Sequence, residues 1–134
     1  MTALQALIGF ALWTFALVVG VLLLRGVRIL GGTPINAWPR GAAPAGEPPF
    51  AKRLSDAHAN CLENLPLFAV AVLVATASGR LGAIDAAAPF VFYARIGQTL
   101  AHLSGTQPLQ VLVRATFWCV QLAAFGWMFW RLLA

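Results

Sequence analysis

The chain has 134 residues, 60% of them hydrophobic and only 10% charged, where an ordinary soluble domain carries about 25% charged residues. With a mean hydropathy of +0.81 this excludes a soluble catalytic domain: four spans of about 20 residues would use most of the length, so any chemistry must sit among the helices. The net charge of +5 does not point to nucleic acid, because no groove-reading motif or aromatic–basic interleaving accompanies it.

The first predicted span is Leu4–Leu24, uncharged and ended by Arg25. No positive residue precedes it and no small-x-small cleavage site follows, so it reads as a spanning helix and not a signal peptide. Gly9 and Gly20 would let a neighbouring helix approach closely.

A polar segment, 25–49, follows. Gly31-Gly32, Pro34, Pro39, Pro44 and Pro48-Pro49 argue against regular helix there, and Trp38 suits the headgroup level. Arg25, Arg28 and Arg40, with Lys52 and Arg53 just beyond, make up five of the nine positive charges. The excess of basic residues predicts that this region, 25–53, faces the cytoplasm and that both termini lie on the opposite side.

The second predicted span, 51–78, opens with Arg53-Leu-Ser-Asp-Ala-His-Ala-Asn-Cys-Leu-Glu-Asn-Leu-Pro66, which holds two of the four acidic residues and one of the two histidines. On a helical wheel Arg53, Asp56, Ala57, Asn60, Asn64 and Leu67 form one stripe with Glu63 at its edge, while His58 and Leu62 point elsewhere. Polar groups feeding into an apolar span are costly and are functional by default; the plainer alternative is a helix end resting in the headgroups. Pro66 removes a backbone donor and predicts a kink just past Asn64.

Residues 79–85 read as a short outer turn with one charge of each sign. The third predicted span, 86–103, places Arg95, Gln98, Thr99 and His102 on one face. Arg95 is too deep to reach an interface easily, so it needs a counter-charge or a wet cavity; Glu63 is the first candidate partner and Asp56 the second. After a tight turn at 104–108, the fourth span, 109–133, carries Gln110, Arg114 and Gln121 on one face. Its Trp118, Trp127, Phe129 and Trp130 read as interfacial belt and lipid contact. Cys61 and Cys119 show no CxxC or metal-ligand spacing and read as small buried apolar residues, although Cys61 lies near the polar stripe. No metal site is expected.

The run Arg53, His58, Asn60, Glu63, Asn64 and Pro66, with the segment from Ala94-Arg95 to Gln107-Pro108 and the order of spans, resembles the MAPEG family, the membrane-associated proteins of eicosanoid and glutathione metabolism. The resemblance covers most of the chain. It implies an all-α membrane protein, a single domain over 1–134 forming a four-transmembrane-helix bundle, assembled as a homotrimer. It further implies glutathione held between helices of adjacent protomers, with Arg53, His58, Asn60, Glu63, Arg95 and Gln98 as binding positions and a lipophilic small molecule arriving from the membrane lipid.

The match is partial. Ser55-Asp56 stands where the family pattern has an arginine pair, Gln98 where it has histidine, and His102 where it has tyrosine. Gln110 stands where it has the arginine that favours the thiolate. Two functions follow from the resemblance. One is a glutathione-dependent transferase or peroxidase acting on lipophilic electrophiles, with a rearranged thiol site in which His102 and Arg114 serve as the catalytic groups. The other is a non-catalytic lipid-binding or scaffolding protein that keeps the fold and has lost the glutathione chemistry.

Overall fold

The computed structural model describes residues 1–39 and 42–134; Arg40, one of the basic loop residues, lies outside the described residues. The described chain is all-helical: α1 spans Ala3–Leu30, α2 Pro49–Ala77, α3 Ala88–Ser104 and α4 Pro108–Leu133, with a 3-10 turn at Leu81–Ala83. α1, α2 and α4 are each long and apolar enough to cross a membrane. α3, at 17 residues, rises about 25 Å at 1.5 Å per residue, slightly less than a hydrocarbon core of about 30 Å.

The first helix continues past its expected end. Arg25 was expected to stop it, but arginine is a good helix former and nothing in Arg25–Leu30 breaks the hydrogen-bond ladder. The helix ends at Leu30, just before Gly31 and Gly32, with Gly32 at φ +96°, a left-handed conformation that glycine adopts without a Cβ penalty. α2 starts with Pro49 at a position that needs no backbone donor, and it runs on through Pro66 to Ala77.

α3 packs most extensively on α4, and α1 on α2, with α1–α3, α2–α3 and α2–α4 contacts completing the bundle. Two glycines within helices allow close approach of a neighbouring helix. A Cβ on Gly9 would meet the Phe92 ring at 2.9 Å, and one on Gly97 would meet the Phe117 ring at 2.5 Å. Phe10, Phe68 and Phe125, from α1, α2 and α4, form the aromatic centre, with ring centroids 5.8 and 6.2 Å apart. The buried stripe of α2 is Leu54, Ala57, Cys61, Asn64, Phe68, Ala71 and Ala75, a repeat of three and four residues that turns Cys61 fully inward. Cys119, expected inside, is exposed, because the first half of α4 leans on its neighbours with only part of its surface.

The connection between α2 and α3 closes two helix ends. Asp85 accepts a hydrogen bond from the Ala3 backbone N–H at 2.7 Å, and Arg80 donates to the Leu132 and Arg131 carbonyls at 3.0 and 2.9 Å. A carboxylate thus meets the N-terminus of α1 and a guanidinium the C-terminus of α4, the favourable sense for each helix dipole, and both satisfy groups that the helices leave unpaired.

Candidate functional site

The polar face of α3 is buried. Arg95, Gln98, Thr99 and His102 are all turned inward, and Arg95 is only 1% exposed. The repeat 95, 98, 99, 102 carries one stripe along the helix, and the glycine at 97 brings α4 against it. With Ala57 and Asn60 of α2 and Arg114 of α4, these four residues line one narrow crevice. The crevice adjoins a more open groove of about 310 Å³ lined by Asn60, Glu63, Gln98, Val111, Arg114, Ala115 and Trp118. Asn60, Gln98 and Arg114 belong to both.

The electrostatics are one-sided. Nε and Nη2 of Arg95, Nε of Arg114 and both ring nitrogens of His102 are buried without a hydrogen-bond partner. Arg95 lies 5.4 Å over the Phe10 ring, and this cation–π contact is its main compensation. Buried polar groups left unpaired are costly, and here the Arg95 and Arg114 donors and the His102 ring converge from α3 and α4, so the residues suit an anionic guest.

The expected counter-charge is not in contact. Among the described residues the ion pairs are Arg28–Glu47 at 2.6 Å and Lys52–Asp56 at 2.9 Å; Glu63 is exposed and does not pair with Arg95. The reason is rotational. The inward stripe of α2 passes through Ala57, Cys61 and Asn64, so Glu63 sits at the rim of the groove, not beneath Arg95.

The remaining predicted site residues divide. Arg53 donates its Nε to the Leu103 carbonyl at 3.1 Å and so closes the C-terminal end of α3. His58 lines a separate cavity of about 510 Å³ under the proline-rich loop, together with Arg25, Trp38, Asp56 and Leu62. Gln110 takes part in the α4 capping box, its Oε1 accepting from the Gln107 backbone N–H at 2.7 Å. Asn64 donates to the Asn60 carbonyl at 2.9 Å.

Two contacts were not anticipated. Gln121 of α4, completely buried, donates its Nε2 to Gln98 Oε1 at 2.9 Å. Trp13 of α1 donates to Thr99 Oγ1 at 3.2 Å. The helical repeat places Gln121 two turns beyond Arg114 on the same face, but only the packing of α3 on α4 reveals its partner. For Trp13 the sequence carries no signal.

The family model described as the MAPEG family matches residues 3–134. No curated protein and no solved structure matches the chain.

Proposed function

Because the chain belongs to the MAPEG family of membrane proteins, we propose that it is a glutathione-dependent transferase or peroxidase whose thiol site is built from Arg95, His102 and Arg114. The observation that carries this reading is the convergence of unpartnered Arg95, Arg114 and His102 nitrogens on the crevice beside Asn60 and Gln98. Glutathione, when bound, supplies the nucleophilic thiol. A free thiol of pKa about 8.5 is mostly protonated at neutral pH, and a neighbouring guanidinium favours the anion. Arg114 takes that role, His102 accepts the proton, and Arg95 and Gln98 hold a carboxylate or amide of the tripeptide. Glu63, at the groove's rim, suits its ammonium group. The lipophilic electrophile reaches the groove from the bilayer past Val111 and Trp118.

The groove is open along α4, whose Leu109, Leu112 and Trp118 are exposed. That exposure supports a homotrimer in which a neighbouring protomer walls one side of the groove and leaves the other open to the bilayer. The bias of Arg25, Arg28, Lys52 and Arg53 toward one end supports a cytoplasmic proline-rich loop, with both termini opposite and α3 as the fourth span.

A second reading has its own support. Gln110 is engaged in capping α4 and Asp56 pairs with Lys52, so neither stands free to handle a thiol. The protein would then bind lipid or scaffold a partner without catalysis. Conjugation of glutathione to chlorodinitrobenzene by the purified protein separates the two. Weak turnover that disappears in Arg114→Gln supports the enzyme, and glutathione binding without turnover supports the second reading.

A further inference from the structure

At the opposite end of the bundle from the proline-rich loop, an open slot of about 310 Å³ is lined by Ala86, Ala87 and Phe90 at the start of α3 and by Val120, Ala124 and Trp127 of α4. Its lining is wholly apolar in side-chain type. On α4 the lining residues recur at spacings of four and three, so they mark one face of that helix. From Trp127 to Val120 the slot runs about 10 Å along the helix axis. One end therefore lies near the helix terminus and the other well inside the apolar span.

The terminal end is cationic. The Arg131 guanidinium lies 5.4 Å from the centre of the Trp127 ring, and Arg131 is exposed. Among the described residues its side chain makes no hydrogen bond or ion pair; only its backbone carbonyl is used, by Arg80. The Arg80 guanidinium is held at the same turn by that bond and its bond to Leu132. Asp85, the acidic residue close by, is engaged by the Ala3 N–H. Trp127 and Trp130 are both partly open at this level, as tryptophans at a headgroup boundary are.

We infer that this slot is a binding site for a phospholipid with an anionic headgroup, one acyl chain lying between α3 and α4 and the phosphate meeting Arg131. The slot has the polarity of that molecule along its length, apolar inside and cationic at the water-facing end. Small side chains at Ala86, Ala87 and Ala124 leave room in it, while Phe90 and Trp127 are its large lining side chains. Arg80 adds positive potential without competing for the slot, since its donors are directed to the α4 carbonyls. The site is separate from the Arg95–Arg114 crevice and shares no residue with it.

Native mass spectrometry of the full-length protein in mild detergent tests this, using phosphatidylglycerol and phosphatidylcholine with identical chains. A basic residue at a membrane surface favours an anionic lipid by about fivefold, and that preference for phosphatidylglycerol is the expected result. Arg131→Gln should bring the two lipids toward parity. Val120→Trp, from a membrane-exposed position, should fill the slot and reduce retention of both. Equal retention of the two lipids by the unmodified protein overturns the proposal, as does undiminished retention by a folded Val120→Trp protein. If Val120→Trp does not fold, Ala86→Phe tests the chain slot from its exposed end, with the same outcomes. Lipid loss that tracks dissociation of the assembly, with neither substitution having an effect, assigns the slot to a second copy of the chain and also overturns it.

Discussion

Gln121 on α4 donates to Gln98 on α3 at 2.9 Å, inside a bundle that leaves Gln121 no solvent exposure. This bond fixes which end of the Gln98 amide is spent on the helix pair, and so turns the other end, its NH2 group, toward the crevice with Arg95 and His102. Gln121→Leu strands Gln98 Oε1 but also removes Gln121 Oε1, itself buried without a partner, so the net cost is that of the lost hydrogen bond, about 1 kcal/mol. Thermal unfolding in detergent should show that loss. Replacing both residues by leucine should recover most of it, since two apolar groups leave nothing unsatisfied.

The approach of α3 to α4 depends on Gly97. A Cβ there would stand 2.5 Å from the Phe117 ring, so Gly97→Ala forces the helices apart or the ring from its rotamer, at about 1–3 kcal/mol. Pairing it with Phe117→Leu should restore stability. If Gly97→Ala alone leaves the unfolding temperature unchanged, the packing described for α3 and α4 is wrong.

Glu63 and Arg95 are not in contact, and their substitutions should behave as independent. Glu63→Gln, at the exposed rim, should change stability by about 0.5 kcal/mol or less. Arg95→Gln will change it more, because that side chain is buried against Phe10. The double variant should equal the sum of the two singles within about 0.5 kcal/mol. A coupling larger than that would restore the ion pair expected from the sequence.

Gln110→Arg removes the side-chain acceptor that caps α4. Loss of such a cap costs about 1 kcal/mol, so introducing the family's arginine here should lower the unfolding temperature whatever it does to the thiol. Hydrogen exchange should locate the loss in the first turn of α4.

The helices are legible because each is a long apolar run and the connections between them carry glycine or proline, and the face carrying Arg95, Gln98, Thr99 and His102 is legible from its spacing alone. The charge of Arg25 marks no helix boundary: α1 continues past it until the backbone is interrupted at Gly31-Gly32. The partner of Arg95 is not legible from the sequence. A wheel fixes which residues of α2 share a face but not how that face is rotated against α3, and the tight packing of Cys61 and Asn64 turned Glu63 to the rim. Phe10 beneath Arg95 and Gln121 beside Gln98 arise from contacts between helices, which no single-helix period encodes.

If Arg95, His102 and Arg114 form one anion-binding site, as proposed, glutathione should bind there. Calorimetric titration of glutathione into the detergent-solubilised protein measures this, with Arg114→Gln titrated alongside. Removing one hydrogen-bonding charge from such a site costs about 1.5–3 kcal/mol, so binding should be saturable and should weaken by about tenfold or more in a folded Arg114→Gln protein. Glutathione that does not bind at millimolar concentration, or that binds Arg114→Gln as tightly as the unmodified protein, would contradict it.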